Sequence, residues 1–334
     1  GVIVENVDPL TDRYQQAAAT GDGPDIVMWA HDRLGEWAAG GLIAPVSPSA
    51  SVVDANLESA WEAVTFDNRV WGYPVAVEAI GLVYNRDLVD TPPENFEDIA
   101  AMDFPEGTTP IMWAYNDTYF TFPMLAANGG YAFEMVDGSY DGSQTGVNTD
   151  GAIQGGEVLA ELIESGTMPR GVDYGVMEGA FANGEVAMII NGPWSWSAYE
   201  DAGLDIGVAP LPAVAGSASR PFLGVQALAL NAASPNQDLA VEFIENYLLT
   251  DENIQLWNST GALGVPTDIS VGAAEDDDKI VQTLANAEVG VPMPSNPEMG
   301  AFWSAMEPAL GNITSGATSV EQALNDAAAR ILGE

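Results

Sequence analysis

Residues 21–33 read GDGPDIVMWAHDR. The Gly-Pro turn at 21–24 precedes an apolar run at 26–29, which is typical of a buried strand. Asp32 then stands where it can cap a helix, and the apolar positions of that helix share one face around Trp37. The segment therefore predicts a turn, a strand and a helix in succession, and this order is typical of an α/β fold.

The same alternation extends outward in both directions. It favours an α/β fold with mostly parallel sheets. We predict capping of short helices by Asn95 with Asp98 and by Ser234-Pro235, and a capping box from Thr318 to Glu321. Further strands are predicted at 2–4, 71–75, 80–84, 110–113, 186–190 and 222–230, and further helices at 13–19 and 149–165.

Length and charge limit the possible class of protein. A chain of 334 residues is too long for one compact core and suits two domains. It holds 49 acidic residues against 8 Lys and Arg, for a net charge of −41. Because the acid is spread along the chain and accompanies 47% hydrophobic residues, it indicates a surface adapted to high salt. Eight cations cannot assemble a basic patch, which disfavours nucleic-acid binding.

Cysteine and histidine usage excludes further chemistry. The chain has no cysteine, which rules out disulfides and thiolate catalysis, and its one histidine, His31, is expected to be structural. The acidic run at 275–278 lacks the spacing of a calcium loop and is expected to be solvated surface. No apolar run is long enough to span a membrane and no leader peptide is visible, so a mature secreted form and a cytosolic protein both remain open.

Aromatic residues next to polar ones suggest a ligand class. Tyr119, Trp194 and Trp303 follow Asp, Asn or Glu in turns, and Trp29 ends its apolar run just before the polar residues 31–33. Sugar rings offer apolar C–H faces to aromatic plates and hydroxyl rims to carboxylates and guanidinium groups. The pattern therefore fits carbohydrate, although for any one of these tryptophans taken alone a place in the core is favoured.

Eight strings of residues, in order along the chain, form one longer pattern: 21–26, 29–33, 73–79, 119–121, 127–133, 191–196, 231–236 and 301–303. In this order they resemble the maltose/maltodextrin-binding proteins, the sugar-capturing subunits of ABC importers, here in an acidic version of haloarchaeal type. The resemblance implies a periplasmic-binding-protein-like fold of type II, with two lobes joined by crossing strands and sugar bound between them. Residues 1–78 with 228–275 would form the N-terminal lobe, and 81–222 with 279–334 the C-terminal lobe.

The resemblance implies aromatic sugar contacts at matching positions. Trp194 and Trp303 are expected to stack on sugar rings, with Tyr119 and Phe120 alongside. Trp29 is expected to line the cleft from the opposite lobe.

Polar contacts are implied in the same way. Asp32, Arg33 and Glu78 are expected to bond sugar hydroxyls, and Ala30 to line the same strand end. Asp117 stands where the family usually has glutamate, which keeps the charge but shortens the reach by one methylene. For Asp32 the simpler role of helix cap remains open.

Three departures from the family pattern concern the site. The family's first strand and first helix have no counterpart here. Glu307 stands where relatives have arginine, and Phe122 where they have tryptophan.

Partners and location follow from the resemblance. We expect a non-catalytic, extracellular and cell-surface-associated monomer that binds maltose or maltodextrin and delivers it to an ABC-type permease. No catalytic residue, metal or cofactor is expected, and the signal or lipid anchor is expected to lie outside these residues.

Two other functions stay open. A glycoside hydrolase would use Glu78 and Asp117 as its two carboxyl groups, about 5–5.5 Å or 6.5–9.5 Å apart across one glycosidic oxygen. A structural or adhesion protein of the cell surface would have no closed cleft.

The charge of −41 predicts a fold that depends on salt. In dilute buffer the Debye length is about 30 Å and like charges repel across the surface, whereas in molar KCl it is about 3 Å. We expect the midpoint of thermal unfolding to fall as KCl is diluted, measured by circular dichroism. An unchanged midpoint would contradict the interpretation of the surface as salt-adapted.

Overall fold

The computed structural model describes residues 2–7, 9–136, 139–261, 264–272 and 277–333. Within these ranges the strands form two larger sheets and two short hairpins. The strands are β1 (Ile26–Ala30), β2 (Ile43–Ala44), β3 (Thr65–Phe66), β4 (Arg69–Val70), β5 (Tyr73–Glu78), β6 (Gly81–Asn85), β7 (Thr109–Met112), β8 (Glu134–Val136), β9 (Ser139–Asp141), β10 (Val186–Asn191), β11 (Ile206–Ala209), β12 (Phe222–Asn231), β13 (Val265–Pro266) and β14 (Val291–Pro292).

Helices separate most of these strands. They are α1 (Leu10–Ala19), α2 (Leu34–Ala39), α3 (Ala50–Ala55), α4 (Glu58–Ala63), α5 (Thr118–Ala126), α6 (Asp150–Glu164), α7 (Tyr174–Ala182), α8 (Trp196–Asp201), α9 (Gln237–Phe243), α10 (Asp251–Gly261), α11 (Ile269–Gly272), α12 (Asp278–Val289), α13 (Met299–Ser315) and α14 (Val320–Ile331). Short 3₁₀ turns lie at His31–Arg33, Phe96–Ala101 and Pro193–Ser195, and Ile244–Leu248 is π-helical.

The expected α/β class is confirmed, but the expectation of mostly parallel sheets is wrong. The first sheet has the order β1-β12-β5-β13, with each of these neighbours antiparallel. The second has the order β11-β6-β10-β7, in which only β10 and β7 run parallel. The physical reason is that consecutive strands change sheets. β5 ends at Glu78 in the first sheet and β6 begins at Gly81 in the second, so they cannot form a parallel crossover unit.

Strand β12 is the middle of the first sheet and supplies two cores. Val225, Ala227 and Ala229 are buried in the core on one face, together with helices α1 and α2. Leu228 and Leu230 are buried in the core on the other face, with the helix after β12. Successive side chains of a strand point to opposite faces, so an uninterrupted apolar strand fits this doubly covered position.

An aromatic junction connects β12 to the helices of the second half. Phe122 of α5 lies parallel to Phe222, the first residue of β12, with ring centroids 3.8 Å apart. Phe302 of α13 meets both rings edge-on, and Trp303 meets Phe222 edge-on. Phe122 is fully buried. It therefore packs in the fold, although the resemblance implies tryptophan at this position.

Two local predictions are corrected near the chain ends. Residues 2–4 form no strand, and Val2, Ile3 and Val4 are exposed without a sheet partner. The capping residue of α14 is Ser319, not Thr318, because its hydroxyl accepts from the backbone N–H of Gln322.

Two interior predictions need similar revision. α9 begins at Gln237 rather than at Pro235, and Ser234 instead accepts from the N–H of Asn236. The side chain of Asn95 bonds Asp98 and caps no backbone N–H.

The division into lobes stays a prediction. It places boundaries at residues 78–81, 222–228 and 275–279, and residue 275 lies outside the described residues. In the described part of the chain, no helix has both the length and the apolar composition that a membrane crossing requires.

The aromatic junction yields a stability prediction. Phe122→Ala removes a fully buried ring stacked on β12, and we expect the free energy of unfolding to fall by about 3–5 kcal/mol. Phe243→Ala is the matched control, since Phe243 is half-buried on α9 and should cost about 1 kcal/mol or less. Urea unfolding in molar KCl measures both, and equal losses would contradict the role given to the junction.

Candidate functional site

The residues expected to bind a ligand lie at the ends of elements from both sheets. Trp29 and Ala30 end β1, and the 3₁₀ turn His31–Arg33 follows at once. Glu78 ends β5, whereas Asp117 and Tyr119 begin α5. We call the candidate cleft the group formed by Trp29, Ala30, Asp32, Arg33, Glu78, Asp117, Tyr119, Phe120, Trp194 and Trp303.

Asp32 joins two parts of the chain that are far apart in sequence. It is buried, and its Oδ2 accepts a hydrogen bond of 3.0 Å from the indole Nε1 of Trp303. The guanidinium of Arg33 lies 3.6 Å from the same oxygen and pairs with Glu36 at 3.0 Å. Arg33 itself, not Asp32, holds the position before α2, so the helix-cap role considered for Asp32 is wrong.

Burial controls the protonation of Asp32. The loss of hydration raises its pKa to about 6, against the opposing effects of Arg33 and of the bond from Trp303. Arg33, the one cation of the candidate cleft, is thus shared between the carboxylates of Asp32 and Glu36.

Glu78 is buried at the point where the chain leaves the first sheet. Its Oε2 accepts from the amide Nε2 of Gln226 at 2.8 Å. Burial raises the pKa of Glu78 to about 7. A methyl group placed on Gly224 would lie 3.8 Å from both Glu78 Oε2 and the hydroxyl of Tyr119, so these two polar groups border the same space above Gly224.

Gln226 was not identified from the sequence. It lies inside the apolar strand β12, where the register with β5 shifts between Gln226 and Ala227 opposite Pro74 and Ala76. Proline cannot donate to the ladder, and such irregularities redirect side chains next to functional sites. A polar residue in an otherwise apolar strand was the signal that could have revealed it.

Asp117 begins α5 and caps it. Its Oδ1 accepts from the backbone N–H of Tyr119 at 3.0 Å. Solvent still reaches the side chain, but the surrounding protein reduces its hydration and raises its pKa, and the carboxylate of Glu307 adds to this effect. Glu307 therefore brings negative charge to this end of the group, where the resemblance implies arginine.

An aromatic wall forms on the side of the second sheet. Tyr119 and Trp194 pack with ring centroids 6.3 Å apart, and Tyr119 meets Phe120 edge-on at 5.6 Å. Trp194 donates from Nε1 to the hydroxyl of Tyr174 at 3.1 Å, and Tyr174 packs on Phe120. Phe120 is buried and supports this wall from behind. Tyr174, at the start of α7, was missed although Asp173 directly precedes it, which is the aromatic-beside-polar pattern that marks Tyr119.

The remaining expected residues differ in their surroundings. Trp29 is 37% exposed, whereas Ala30 packs partly buried against the larger core. His31 is buried, accepts at Nδ1 from the N–H of Val225 and donates from Nε2 to the carbonyl of Met293. Both ring nitrogens are occupied by backbone and burial lowers the pKa to about 4, so His31 is structural, as predicted.

Three carboxyl groups of the candidate cleft act on one hydroxyl, that of Tyr119. Burial raises the pKa of its hydroxyl well above the usual value, and the negative charges of Glu78, Asp32 and Asp117 add to the rise. No set of three or more His, Asp or Glu side chains in the described ranges could hold a metal ion. Aromatic faces, carboxyl groups and one guanidinium are the groups that recognise the faces and hydroxyls of sugars.

Comparison with known proteins gives one consistent result. The family model described as bacterial extracellular solute-binding protein matches residues 2–255. The chain is 28% identical over 327 residues to a maltotriose-binding protein of Pyrococcus abyssi, covering 93% of this chain and 70% of that protein. It is 28% identical over 333 residues to a galactooligosaccharide-binding protein of Bacillus subtilis, covering 94% and 77%. It is 28% identical over 324 residues to the maltodextrin-binding protein MdxE of Bacillus subtilis, covering 92% and 76%.

Because burial raises the pKa of Glu78, we expect the free energy of unfolding to depend on pH. Its pKa of about 7 in the folded state exceeds the ordinary 4.5, so the folded chain binds the proton more tightly. Stability should therefore fall as pH rises from about 4.5 to 7, by up to the order of 3 kcal/mol from this group. Glu78→Gln keeps the acceptor for Gln226 and should remove that part of the loss.

Glu106→Gln is the matched control for this measurement. It makes the same change of charge at an exposed turn. Urea unfolding between pH 4.5 and 8 in molar KCl compares the two variants. A Glu78→Gln protein with the same pH profile as the control would contradict the assignment.

Proposed function

The chain belongs to the bacterial extracellular solute-binding protein family, and on this premise we propose that it captures maltodextrin-type oligosaccharides for an ABC importer. The similarity to proteins named for binding maltotriose and maltodextrin supports this sugar class. The similarity to pneumococcal proteins named as maltooligosaccharide ABC transporter solute-binding lipoproteins supports the partner, an ABC-type permease.

The observation that carries the proposal is the pairing of aromatic plates with buried carboxyl groups. Trp303 both offers its ring and donates to Asp32 at 3.0 Å. Tyr119 packs beside Trp194 and shares the space over Gly224 with Glu78. An oligosaccharide can place ring faces on the aromatic plates and hydroxyls on the carboxyl groups, so that stacking and hydrogen bonding act on the same ligand.

Each side chain has a proposed role in binding. Trp194, Trp303 and Tyr119 stack on sugar rings, with Phe120 behind them. Trp29 and Ala30 line the opposite wall.

The polar roles complete the assignment. Asp32 and Glu78 accept from hydroxyls, or donate when protonated, since the pKa values of about 6 and 7 make both forms accessible near neutral pH. Arg33 donates to ring or hydroxyl oxygens. Asp117 bonds a hydroxyl with the oxygen that does not cap α5.

Capture proceeds by closure of two lobes. The hinge would consist of residues 79–80, between β5 and β6, and the beginning of β12 at residue 222. Residues 1–78 with 228–275 would move against 81–222 with 279–334. Sugar that contacts both walls stabilises the closed form, because only a ligand with differential affinity can shift such an equilibrium. The permease would recognise that closed form.

A hydrolytic role for Glu78 and Asp117 finds no support. The described relatives are binding proteins, and one Asp117 oxygen is committed to the start of α5. We accordingly propose a protein without catalysis. We further propose that it acts as a monomer at the outer cell surface.

Binding should depend on the aromatic wall. We expect wild-type protein in molar KCl to bind maltotriose in the micromolar range, and Trp194→Ala to weaken binding by about 10–100-fold through lost stacking. Isothermal titration calorimetry measures this, with Trp61→Phe as the control because Trp61 lies outside the candidate cleft and donates to Val53.

Two outcomes would contradict the proposal. One is a folded wild-type protein that binds neither maltose nor maltotriose. The other is release of glucose from maltotriose during a long incubation, which would favour the glycoside hydrolase as the function instead.

A further inference from the structure

A polar network adjoins the aromatic wall and is centred on Glu178 of α7. Glu178 Oε1 accepts from the amide Nδ2 of Asn191 at 2.7 Å and from the hydroxyl of Tyr199. Asn191 is the last residue of β10 and is 1% exposed, and Tyr199 of α8 is completely buried. The network therefore joins two helices to the end of a central strand of the second sheet.

The charge of Glu178 is held by neutral groups. Glu178 is half-buried, and the ion pairs formed by the described residues do not include it. A carboxylate that loses hydration without gaining a cation depends on neutral donors that already point toward it. The amide of Asn191 and the phenol of Tyr199 are such donors, so Glu178 fixes the direction in which both groups point.

The first connection from Glu178 to Trp194 runs through the backbone of Gly192. Asn191 donates to Glu178 with its amide nitrogen, and its Oδ1 accepts from the N–H of Gly192 at 2.9 Å. The ring of Trp194 lies directly on Gly192, because a methyl group placed there would overlap three atoms of the six-membered part of the indole. Gly192 is therefore the floor under the ring, and Asn191 holds that floor in place.

The second connection reaches the indole nitrogen through Tyr174. Tyr174 and Glu178 are four residues apart on α7, so their side chains share one face of the helix. The hydroxyl of Tyr174 accepts from Trp194 Nε1 at 3.1 Å, which leaves its own proton to point toward Glu178. Burial raises the pKa of this hydroxyl, and the negative charge of Glu178 adds to the rise, so the phenol keeps that proton.

The two connections restrain the indole of Trp194 in different ways. Contact with Gly192 fixes the tilt of the ring, and the bond to Tyr174 fixes its rotation about the Cβ–Cγ bond. Rotation about that bond is otherwise only weakly restricted in tryptophan. Stacking on a sugar requires the ring face in one plane, and a ring that is held there beforehand loses less freedom when the ligand binds.

We propose that Glu178 is a positioning residue of the sugar site, which acts through Tyr174 and Asn191 to hold the ring of Trp194 in its stacking plane. The proposal rests on the function proposed above, in which Trp194 stacks on a sugar ring. In this role Glu178 raises the affinity for the sugar without touching it.

The first test measures the indole N–H of Trp194 without any sugar. Wild type, Glu178→Gln and Tyr174→Phe carry ¹⁵N-labelled tryptophan in molar KCl, and Trp194→Phe assigns the resonance by its loss. We expect both variants to shift the Trp194 resonance and to speed its exchange with water. The resonance of Trp113, which donates to Thr121 in the core, should stay in place.

Two choices of variant make this test specific. Glu185→Gln is the matched control, because it makes the same charge change at an exposed residue just beyond α7, and it should leave the Trp194 resonance in place. Tyr174→Phe removes one hydroxyl from a residue that is 38% exposed, so it tests the same connection even where Glu178→Gln fails to fold.

The second test measures the affinity for maltotriose by isothermal titration calorimetry. Glu178→Gln should weaken binding about three- to tenfold, the effect of one hydrogen bond lost from the support of Trp194. In a Trp194→Ala background the same substitution should have no further effect, because the ring that Glu178 positions is gone. A purely structural role would weaken binding equally in both backgrounds.

Three results overturn the proposal. They are a Trp194 resonance that stays in place in either Glu178→Gln or Tyr174→Phe, equal effects of Glu178→Gln and Glu185→Gln, and equal weakening by Glu178→Gln with and without Trp194. A folded wild-type protein that fails to bind maltotriose overturns the proposed function instead. The resonance then still decides whether Glu178 holds Trp194, because it is measured without sugar.

Discussion

The rest of the structure depends on the position of one strand, β12 (Phe222–Asn231). It lies between β1 and β5 and pairs antiparallel with both. Its alternate side chains enter two cores, its first residue stacks on Phe122, and Gln226 in its middle holds Glu78. The backbone N–H of Val225 in the same strand donates a hydrogen bond to His31. A change in its register would therefore disturb both cores and the candidate cleft together, because a shift of one residue turns every side chain to the other face.

The candidate cleft is short of positive charge. Asp32, Glu78 and Asp117 surround Tyr119, and Arg33 is already paired with Asp32 and Glu36. Buried carboxylates without a full set of donors are costly, and the raised pKa values express this cost. Sugar hydroxyls can supply the missing donors without bringing charge. The hydrogen bonding of the cleft is therefore more complete with the proposed ligand than without it, which gives the proposed closure a physical reason.

The sequence alone was sufficient to predict the helices and strands that depend on local patterns. The strand at 26–29, the helix at 149–165 and the strand at 222–230 depend on runs of apolar residues and nearby caps, and the structure has them. Whether neighbouring strands run parallel or antiparallel, by contrast, is not determined by local sequence. Whether β5 and β12 run parallel depends on a partner about 150 residues away, and the alternation of elements hides that consecutive strands change sheets. Gln226 and Tyr174 each had a polar signal in the sequence, but their roles come from contacts with Glu78 and Trp194 that are distant along the chain.

The contacts of Trp303 show why fold and site cannot be separated here. Its ring packs edge-on against Phe222 and Phe302, and its Nε1 donates to Asp32 beyond β1. The ring is thus held by the aromatic junction while the indole donor is held by the other wall. Rotation of Trp303 toward a sugar would have to keep or exchange the bond to Asp32, whose raised pKa already indicates poor hydration. A ligand hydroxyl that takes the place of this bond would satisfy the same carboxyl, so the proposed binding would be coupled to the packing between the two walls.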